Sequence, residues 1–289
     1  MKPAAFDYCR PDRLDEALGL LAEYGADVSI LAGGMSLGPM LNMRLVRPRI
    51  LMDIKKIGEL GRVQLARDGV HTGATVVQAD ALAHSELMAA APLLALGLPN
   101  VGHFQTRSRG TLAGSVAHAD PSAEIPLCLA TLGGSIELRS KRARRVVPAA
   151  EFFQGVLTTA RRSDELLTGL VWPMSARGTG YGFREIAQRH GDFAIAAVAC
   201  AVTLDASGSI EDLRVGLGGV EDRPVLAETK GFRGAAADRE TARAVAADAA
   251  AAADPMSDVK ASADYRRALV RALVEDAAMA AFESAKAQR

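Results

Sequence analysis

The sequence has 289 residues, more than one typical hydrophobic core holds, and this length indicates two or three packed units. Its 34 Lys and Arg residues balance 34 Asp and Glu residues, so no overall field favours nucleic acid or an anionic membrane surface. Only 4% of the residues are aromatic, and we therefore expect the backbone and small side chains to hold any ligand.

The cysteines and histidines form no recognisable metal or cluster motif. Cys9, Cys128 and Cys200 lie far apart without a CxxC pair, and the five histidines form no HExxH pattern. An odd cysteine count fits a reducing compartment, and no apolar run is long enough to cross a bilayer. The first ten residues contain charges before any apolar stretch, and we therefore expect a cytoplasmic protein with no membrane span. From the spacing of the cysteines and histidines we expect no metal site.

The first part of the chain, residues 1–56, has the pattern of a small α/β unit. Asp12 is a candidate N-cap for a leucine-rich helix that Gly25 would end. Apolar runs predict a strand over residues 28–31 and an interior strand over residues 49–54.

The second part, residues 57–175, mixes hairpins and helices. Strand patterns on either side of Asp68-Gly69 predict a hairpin over residues 63–73, and a second hairpin is predicted over residues 135–147. Its basic tip, residues 139–145, is interpreted as a solvated turn and not as a nucleic-acid patch. Helices are predicted over residues 78–84, 92–98 and 123–132.

The last part, residues 178–289, follows a predicted linker at residues 173–180. Its pattern predicts strands over residues 193–204 and 210–217, then helices over residues 241–253 and 263–285. Strands followed by helices indicate an α+β domain.

Two glycine-containing segments could hold a diphosphate. In residues 31–36, Gly33 and Gly34 follow a strand and open a helix, where free backbone N–H groups can face an anion. Residues 111–115 offer a second turn of small and hydroxyl residues. Each segment alone is weak evidence for a phosphate site, because a Gly-Gly after a strand is more often only a tight turn. The chain has no GxGxxG, P-loop or GxSxG motif, which disfavours a Rossmann site, P-loop phosphoryl transfer and serine hydrolysis.

Three segments together resemble a known family. Residues 32–37, the block 105–124 and residues 191–194 are similar to the medium, FAD-binding subunit of molybdenum hydroxylases, which include carbon monoxide dehydrogenase and xanthine dehydrogenase. The resemblance covers essentially the whole chain. It implies an α+β protein with a p-cresol methylhydroxylase-type FAD-binding fold of two α/β subdomains, followed by a C-terminal α+β domain of the carbon monoxide dehydrogenase flavoprotein type.

The same resemblance implies which residues bind FAD. The two glycine turns would hold the diphosphate, Ala123 and Glu124 would lie near the adenosine half, Leu167 near the flavin end and Arg184 near the ring. Asp120 matches an acidic position of the family motif. The full set is Leu31, Ala32, Gly33, Gly34, Met35, Ser36, Leu37, Val101, Gly110, Thr111, Ala113, Gly114, Ser115, Asp120, Ala123, Glu124, Leu167, Arg184 and Phe193.

Two positions depart from the family pattern. Ala113 stands where a second glycine is usual, and its methyl group is expected to be tolerated. Phe193 stands where the carbon monoxide dehydrogenase branch usually has a tyrosine over the flavin; a core residue at the start of a strand is an equally good interpretation. No side chain is nominated as a catalytic acid or base.

The implied function is that of an oxidoreductase subunit that takes electrons from the [2Fe–2S] clusters of a partner and passes them from FAD to an external acceptor. The implied partners are a large molybdopterin subunit and a small [2Fe–2S] subunit, assembled as a dimer of heterotrimers. Two alternatives remain open at this point: a self-sufficient flavin oxidoreductase of the same superfold, and a non-redox scaffold with a vestigial nucleotide site.

Overall fold

A computed structural model describes residues 1–288 of the chain, and its first sheet is a small parallel one. The elements are β1 (Asp7–Cys9), α1 (Leu14–Tyr24), β2 (Val28–Leu31), α2 (Leu37–Asn42) and β3 (Ile50–Asp53). The strand order is β1-β3-β2, and β3 is buried at every position, as expected for the middle strand of a parallel sheet.

The two ends of helix α1 are capped in different ways. Gly25, with φ of 49°, ends it as predicted, but the prediction of Asp12 as N-cap is wrong, because the N-cap is Arg13 and it makes no side-chain cap. Instead, the backbone N–H of Asp12 donates to the carboxylate of Glu16 at 3.2 Å. The carboxylate of Glu16, in the first turn of α1, therefore accepts the hydrogen bond from this backbone N–H.

The second sheet is antiparallel and has five strands. The hairpins and helices predicted for this region are present, and the helix predicted over residues 123–132 begins at Glu124. The elements are β4 (Val63–Ala66), β5 (Gly69–Gly73), α3 (Gln78–Ala83), α4 (Ser85–Ala90), α5 (Pro92–Gly97), α6 (Phe104–Arg107), α7 (Leu112–His118), α8 (Glu124–Leu132), β6 (Ser135–Arg139), β7 (Arg144–Pro148), α9 (Ala149–Phe152), β8 (Phe153–Gly155), β9 (Thr158–Thr159) and β10 (Leu166–Trp172). No sequence pattern predicts a strand at β10, which is nevertheless the central strand in the order β4-β5-β10-β6-β7 and is buried at all seven positions.

The third sheet is antiparallel and is followed by the two long helices. Its elements are β11 (Thr179–Ile186), β12 (Ala196–Leu204), β13 (Ile210–Gly218), β14 (Val225–Leu226), α10 (Arg239–Ala252) and α11 (Ala263–Ala287). Two predicted bounds are wrong: residues 179 and 180 belong to β11 and not to a linker, and β12 begins at Ala196 and not at Phe193.

The two faces of β12 pack against different cores. Ala197, Ala199 and Ala201 join the core that lies under the first two sheets, whereas Val198 and Cys200 join a second core with α10 and α11. Gly182 on β11 allows α11 to lie directly on the sheet, because a Cβ there would come within 2.9 Å of the carbonyl carbon of Ala277. The third sheet is therefore covered on both faces, and the loop that precedes β12 is held against the rest of the protein.

Candidate functional site

A cavity with a volume of about 560 Å³ lies where both glycine turns and the loop before β12 meet. This volume is in the range of pockets that hold a cofactor-sized ligand. Its walls come from the end of β2, from the loops on either side of α6 and α7, from the start of α8 and β10, and from residues 191–193.

The first glycine turn presents unpaired backbone donors to this cavity. Among the described residues, no protein acceptor receives a hydrogen bond from the N–H groups of residues 32–37. Gly34 has φ of 73°, a conformation that favours glycine, and Leu31 packs beneath it. Several N–H groups in one turn that face a cavity form a binding site for an anion such as a diphosphate.

The second turn lies against the first, and several of its backbone N–H groups already donate hydrogen bonds to other protein atoms. Thr111 is the N-cap of α7, and its hydroxyl accepts a hydrogen bond from Gly114 N–H at 2.9 Å. The Leu112 N–H donates to Val76 O at 3.1 Å, whereas the Ala113 N–H has no protein acceptor within residues 1–288. This turn therefore adds one free N–H at Ala113 and a firmly capped helix end.

An acidic side chain lines the cavity at the start of α8. Glu124 is 6% exposed, and burial together with the carboxylates of Glu185 and Asp120 raises its pKa to about 8. Glu185 on β11 has a buried oxygen without a partner, and burial raises its pKa to about 7. Asp120 instead accepts a hydrogen bond from Ser122 N–H at 2.9 Å, which shapes the loop. Burial therefore favours the protonated form of the Glu124 carboxyl group, the form that can donate a hydrogen bond.

The loop before β12 supplies the remaining wall. Gly191 has φ of 85°, and a Cβ there would lie 2.8 Å from Gly102 O, so the two loops pack at glycines. The Phe193 side chain is 56% exposed and lines the cavity, so its interpretation as a core residue is wrong. Among the described residues that line the cavity, Phe193 is the only Phe, Tyr or Trp.

Sequence reasoning missed several residues that the fold brings to the cavity. Gln78 is buried with an unpartnered Oε1, and Arg161 donates to Glu165 O at 2.7 Å, while burial lowers the pKa of its guanidinium. Thr106, His118 and Asp192 also line the cavity. The block 105–124 could have indicated Thr106 and His118, but no local pattern marks Gln78 or Arg161, which arrive from distant elements.

Most of the predicted site residues lie together around the cavity, and two do not. The cavity is lined by Ala32, Gly33, Gly34, Met35, Ser36, Leu37, Val101, Gly110, Thr111, Ala113, Gly114, Ser115, Asp120, Ala123, Glu124, Leu167 and Phe193. Leu31 supports the first turn from below. Arg184 lies in a separate pocket beside Glu275 and Glu283 of α11, so the geometry does not support a role for it near the ring of a ligand.

The chemistry of the cavity fits FAD. The free N–H groups of residues 32–37 suit a diphosphate, and the exposed ring of Phe193 offers a face to a planar aromatic ligand. The apolar side chains of Leu167 and Val101 suit the uncharged parts of the cofactor.

Within residues 1–288, no cluster of three or more His, Cys, Asp or Glu side chains could hold a metal ion. No helix of the described chain has both the length and the apolar character needed to cross a membrane.

Comparison with known proteins identifies two family models along the chain. Residues 4–175 match the FAD binding domain in molybdopterin dehydrogenase, and residues 181–281 match the CO dehydrogenase flavoprotein C-terminal domain.

Curated relatives and solved structures agree with these matches. Caffeine dehydrogenase subunit beta of a Pseudomonas species is 39% identical over 78% of this chain and 76% of its own length. The carbon monoxide dehydrogenase medium chain of Hydrogenophaga pseudoflava is 33% identical over 98% of this chain and 99% of its own. Quinoline 2-oxidoreductase from Pseudomonas putida 86 superposes with a TM-score of 0.94 at 33% identity, covering 99% of both chains.

Proposed function

Because this chain belongs to the family of FAD-binding medium subunits of molybdenum hydroxylase-type dehydrogenases, we propose that it passes electrons from the [2Fe–2S] clusters of a partner subunit to an external acceptor through its FAD. The observation that carries the proposal is the meeting of two glycine turns in one cavity, where residues 32–37 present free backbone N–H groups. FAD supplies a ring system that accepts electrons one or two at a time and so links one-electron carriers to varied acceptors.

The residues of the chain bind and orient the cofactor. In this proposal, the N–H groups of the first turn and of Ala113 donate to the diphosphate oxygens, and Thr111 keeps α7 capped so that this N–H stays in place. Glu124 lines the same cavity, and its protonated carboxyl group would be available as a hydrogen-bond donor to the bound dinucleotide. Leu167 and Phe193 exclude water on the apolar side of the cavity.

The clusters and the molybdenum site belong to partners in this proposal. Cys128 and Cys200 are fully buried, and burial raises the pKa of both thiols. Within residues 1–288 the cysteines form no group of three or more His, Cys, Asp or Glu side chains that could hold a metal ion, so the chain offers no ligand set for a cluster of its own. We propose a small [2Fe–2S] subunit and a large molybdopterin subunit as partners, in a dimer of heterotrimers located in the cytoplasm. Relatives named as medium chains or subunits of dehydrogenases support this assembly.

Purification of the tagged chain from its native host tests the proposed assembly. The expected result is co-elution with one larger and one smaller protein, with FAD, molybdenum and iron in the same fraction. Elution of the chain alone, with flavin that substrates reduce directly, would instead support a self-sufficient flavin oxidoreductase. A colourless chain that binds no added FAD would support a non-redox scaffold.

A further inference from the structure

The connection between α10 and α11 passes the cavity wall that Phe193 forms. We call residues 254–262 the strap. Its Met256 N–H donates to Val220 O at 3.1 Å, which docks the strap beside the end of the third sheet. From this position Lys260 places its ammonium nitrogen 5.5 Å from the centre of the Phe193 ring. The strap thus contacts the only Phe, Tyr or Trp among the described residues that line the cavity.

Asp258 holds the strap in the shape that brings Lys260 to the ring. One of its carboxylate oxygens accepts hydrogen bonds from Lys260 N–H at 2.9 Å and from Ala261 N–H at 3.0 Å. The Asp258 N–H donates to Ala261 O at 3.0 Å, which closes the turn. The backbone of Lys260 is therefore fixed by the residue two positions before it.

Arg266 of α11 fastens this turn to the Phe193 loop. The side chain of Arg266 is 5% exposed, and its guanidinium lies 2.8 Å from the second carboxylate oxygen of Asp258. The same guanidinium donates to the carbonyl oxygens of Ile195 and Gly219. Ile195 is two residues from Phe193, so one buried cation joins the strap to the backbone beside the aromatic wall. Buried charges require such partners, because removing one partner leaves the other without compensation.

We propose that Lys260 and Asp258 are positioning residues for FAD, which hold the Phe193 ring against the aromatic part of the bound dinucleotide. The proposal rests on FAD binding in this cavity and not on the identity of partners or acceptors. A cation over an exposed aromatic face is worth about 0.5–1 kcal/mol, which corresponds to a two- to fivefold change in an equilibrium constant. The effect of Lys260 on FAD should therefore be modest, specific and transmitted through Phe193.

The test uses the full chain and compares FAD with inorganic pyrophosphate, which can occupy the glycine turns but has no ring. Variants Lys260→Met and Asp258→Asn are expected to weaken FAD binding up to about fivefold and to raise the fluorescence of the bound flavin. Pyrophosphate affinity, measured by competition, should not change. Lys260→Arg should retain the parent properties, because arginine also stacks on an aromatic face.

Two controls separate positioning from other effects. Lys230→Met removes an exposed lysine elsewhere in the same part of the protein and should change nothing. In a Phe193→Leu background, Lys260→Met should have no further effect on FAD. An unchanged FAD affinity and fluorescence in Lys260→Met would overturn the proposal. So would an equal loss in the Phe193→Leu background or an equal loss for pyrophosphate, because Lys260 would then act on the anion and not through the ring.

Discussion

Gly33 and Gly110 bring the two glycine turns into backbone contact. A Cβ on Gly33 would lie 2.8 Å from the Gly110 Cα and closer still to Arg109 O, so no side chain fits between the turns. Because both turns line one cavity, this contact sets the distance between their N–H groups. It also explains why two segments about 75 residues apart in the sequence can act on one diphosphate.

The first prediction follows from this contact. Gly33→Ala should lower FAD affinity at least tenfold, because the added methyl group meets rigid backbone and must separate the turns. Titration of FAD-free chain with FAD, followed by flavin fluorescence, measures the change. Gly38→Ala is the matched control: its Cβ meets nothing within 4 Å, and alanine favours the helix α2 that contains it. Similar affinities for the two variants would show that the turns do not need this approach.

The second prediction concerns the cap of α7. Thr111→Val keeps the shape of the side chain but leaves the Gly114 N–H without its acceptor, at a cost of about 1–2 kcal/mol in the free energy of unfolding. FAD affinity should fall as well, because Ala113 lies in the first turn of this helix. Urea denaturation of the FAD-free chain and FAD titration measure both effects. Thr111→Ser retains the hydroxyl and should resemble the parent in both measurements.

The third prediction is a pH dependence that arises from Glu124. Its pKa is about 8 in the folded chain and about 4.5 when exposed, so between these values the folded state holds a proton that the unfolded chain has lost. The stability contributed by this proton is fully present below pH 4.5 and is lost as the pH rises towards 8. Glu124→Gln should therefore be more stable than the parent at pH 8, by about 4 kcal/mol, with no advantage near pH 4.

Chemical denaturation of the FAD-free chain across this range measures the Glu124 effect. Glu86→Gln, at an exposed position in α4, should follow the parent at every pH. If the stability difference between Glu124→Gln and the parent did not depend on pH, the pKa of Glu124 would be the same in the folded and unfolded chain, and the prediction would be wrong.

The fourth prediction distinguishes a buried from an exposed ion pair at β7. Arg145 binds both carboxylate oxygens of Glu165, at 2.6 and 2.8 Å, and Glu165 is 4% exposed. Arg145→Gln should cost about 3 kcal/mol of stability, because the buried carboxylate loses its partner. Arg144→Gln breaks a pair whose arginine is 61% exposed and should cost less than about 1 kcal/mol. Equal losses in thermal unfolding would contradict this difference.

Local sequence patterns predict the helices and strands of this protein better than they predict its long-range contacts. The glycine-ended strand β2, the Asp68-Gly69 hairpin and the two terminal helices are visible in the sequence because periodicity and turn chemistry act over a few residues. Strand β10 is buried at all seven positions and therefore shows no alternation, and Thr168 and Gly169 interrupt its apolar residues, so neither periodicity nor a continuous apolar run marks it as a strand. The sequence around Phe193 is equally compatible with a strand core and with a cofactor site, and the structure decides between them: β12 begins only at Ala196, and the ring of Phe193 lines the cavity.

The candidate site was predictable where it depends on contiguous segments. The two glycine turns and the start of α8 are such segments, and the structure brings them together. Gln78 and Arg161 could not be found this way, because their position at the cavity depends on the packing of distant elements. Arg184 is a predicted site residue that does not line the cavity: alternation along β11 directs its side chain to the α11 side.

The most direct test of the proposed electron path compares two complexes purified from the native host, one with the unsubstituted chain and one with Gly33→Ala. Both are reduced with dithionite and mixed with an acceptor, and reoxidation of the [2Fe–2S] clusters is followed by absorbance. If FAD on this chain is the exit for electrons, the clusters of the Gly33→Ala complex should reoxidise at least tenfold more slowly, and added FAD at high concentration should restore part of the rate. Equal rates in an intact complex that lacks FAD would contradict the proposal.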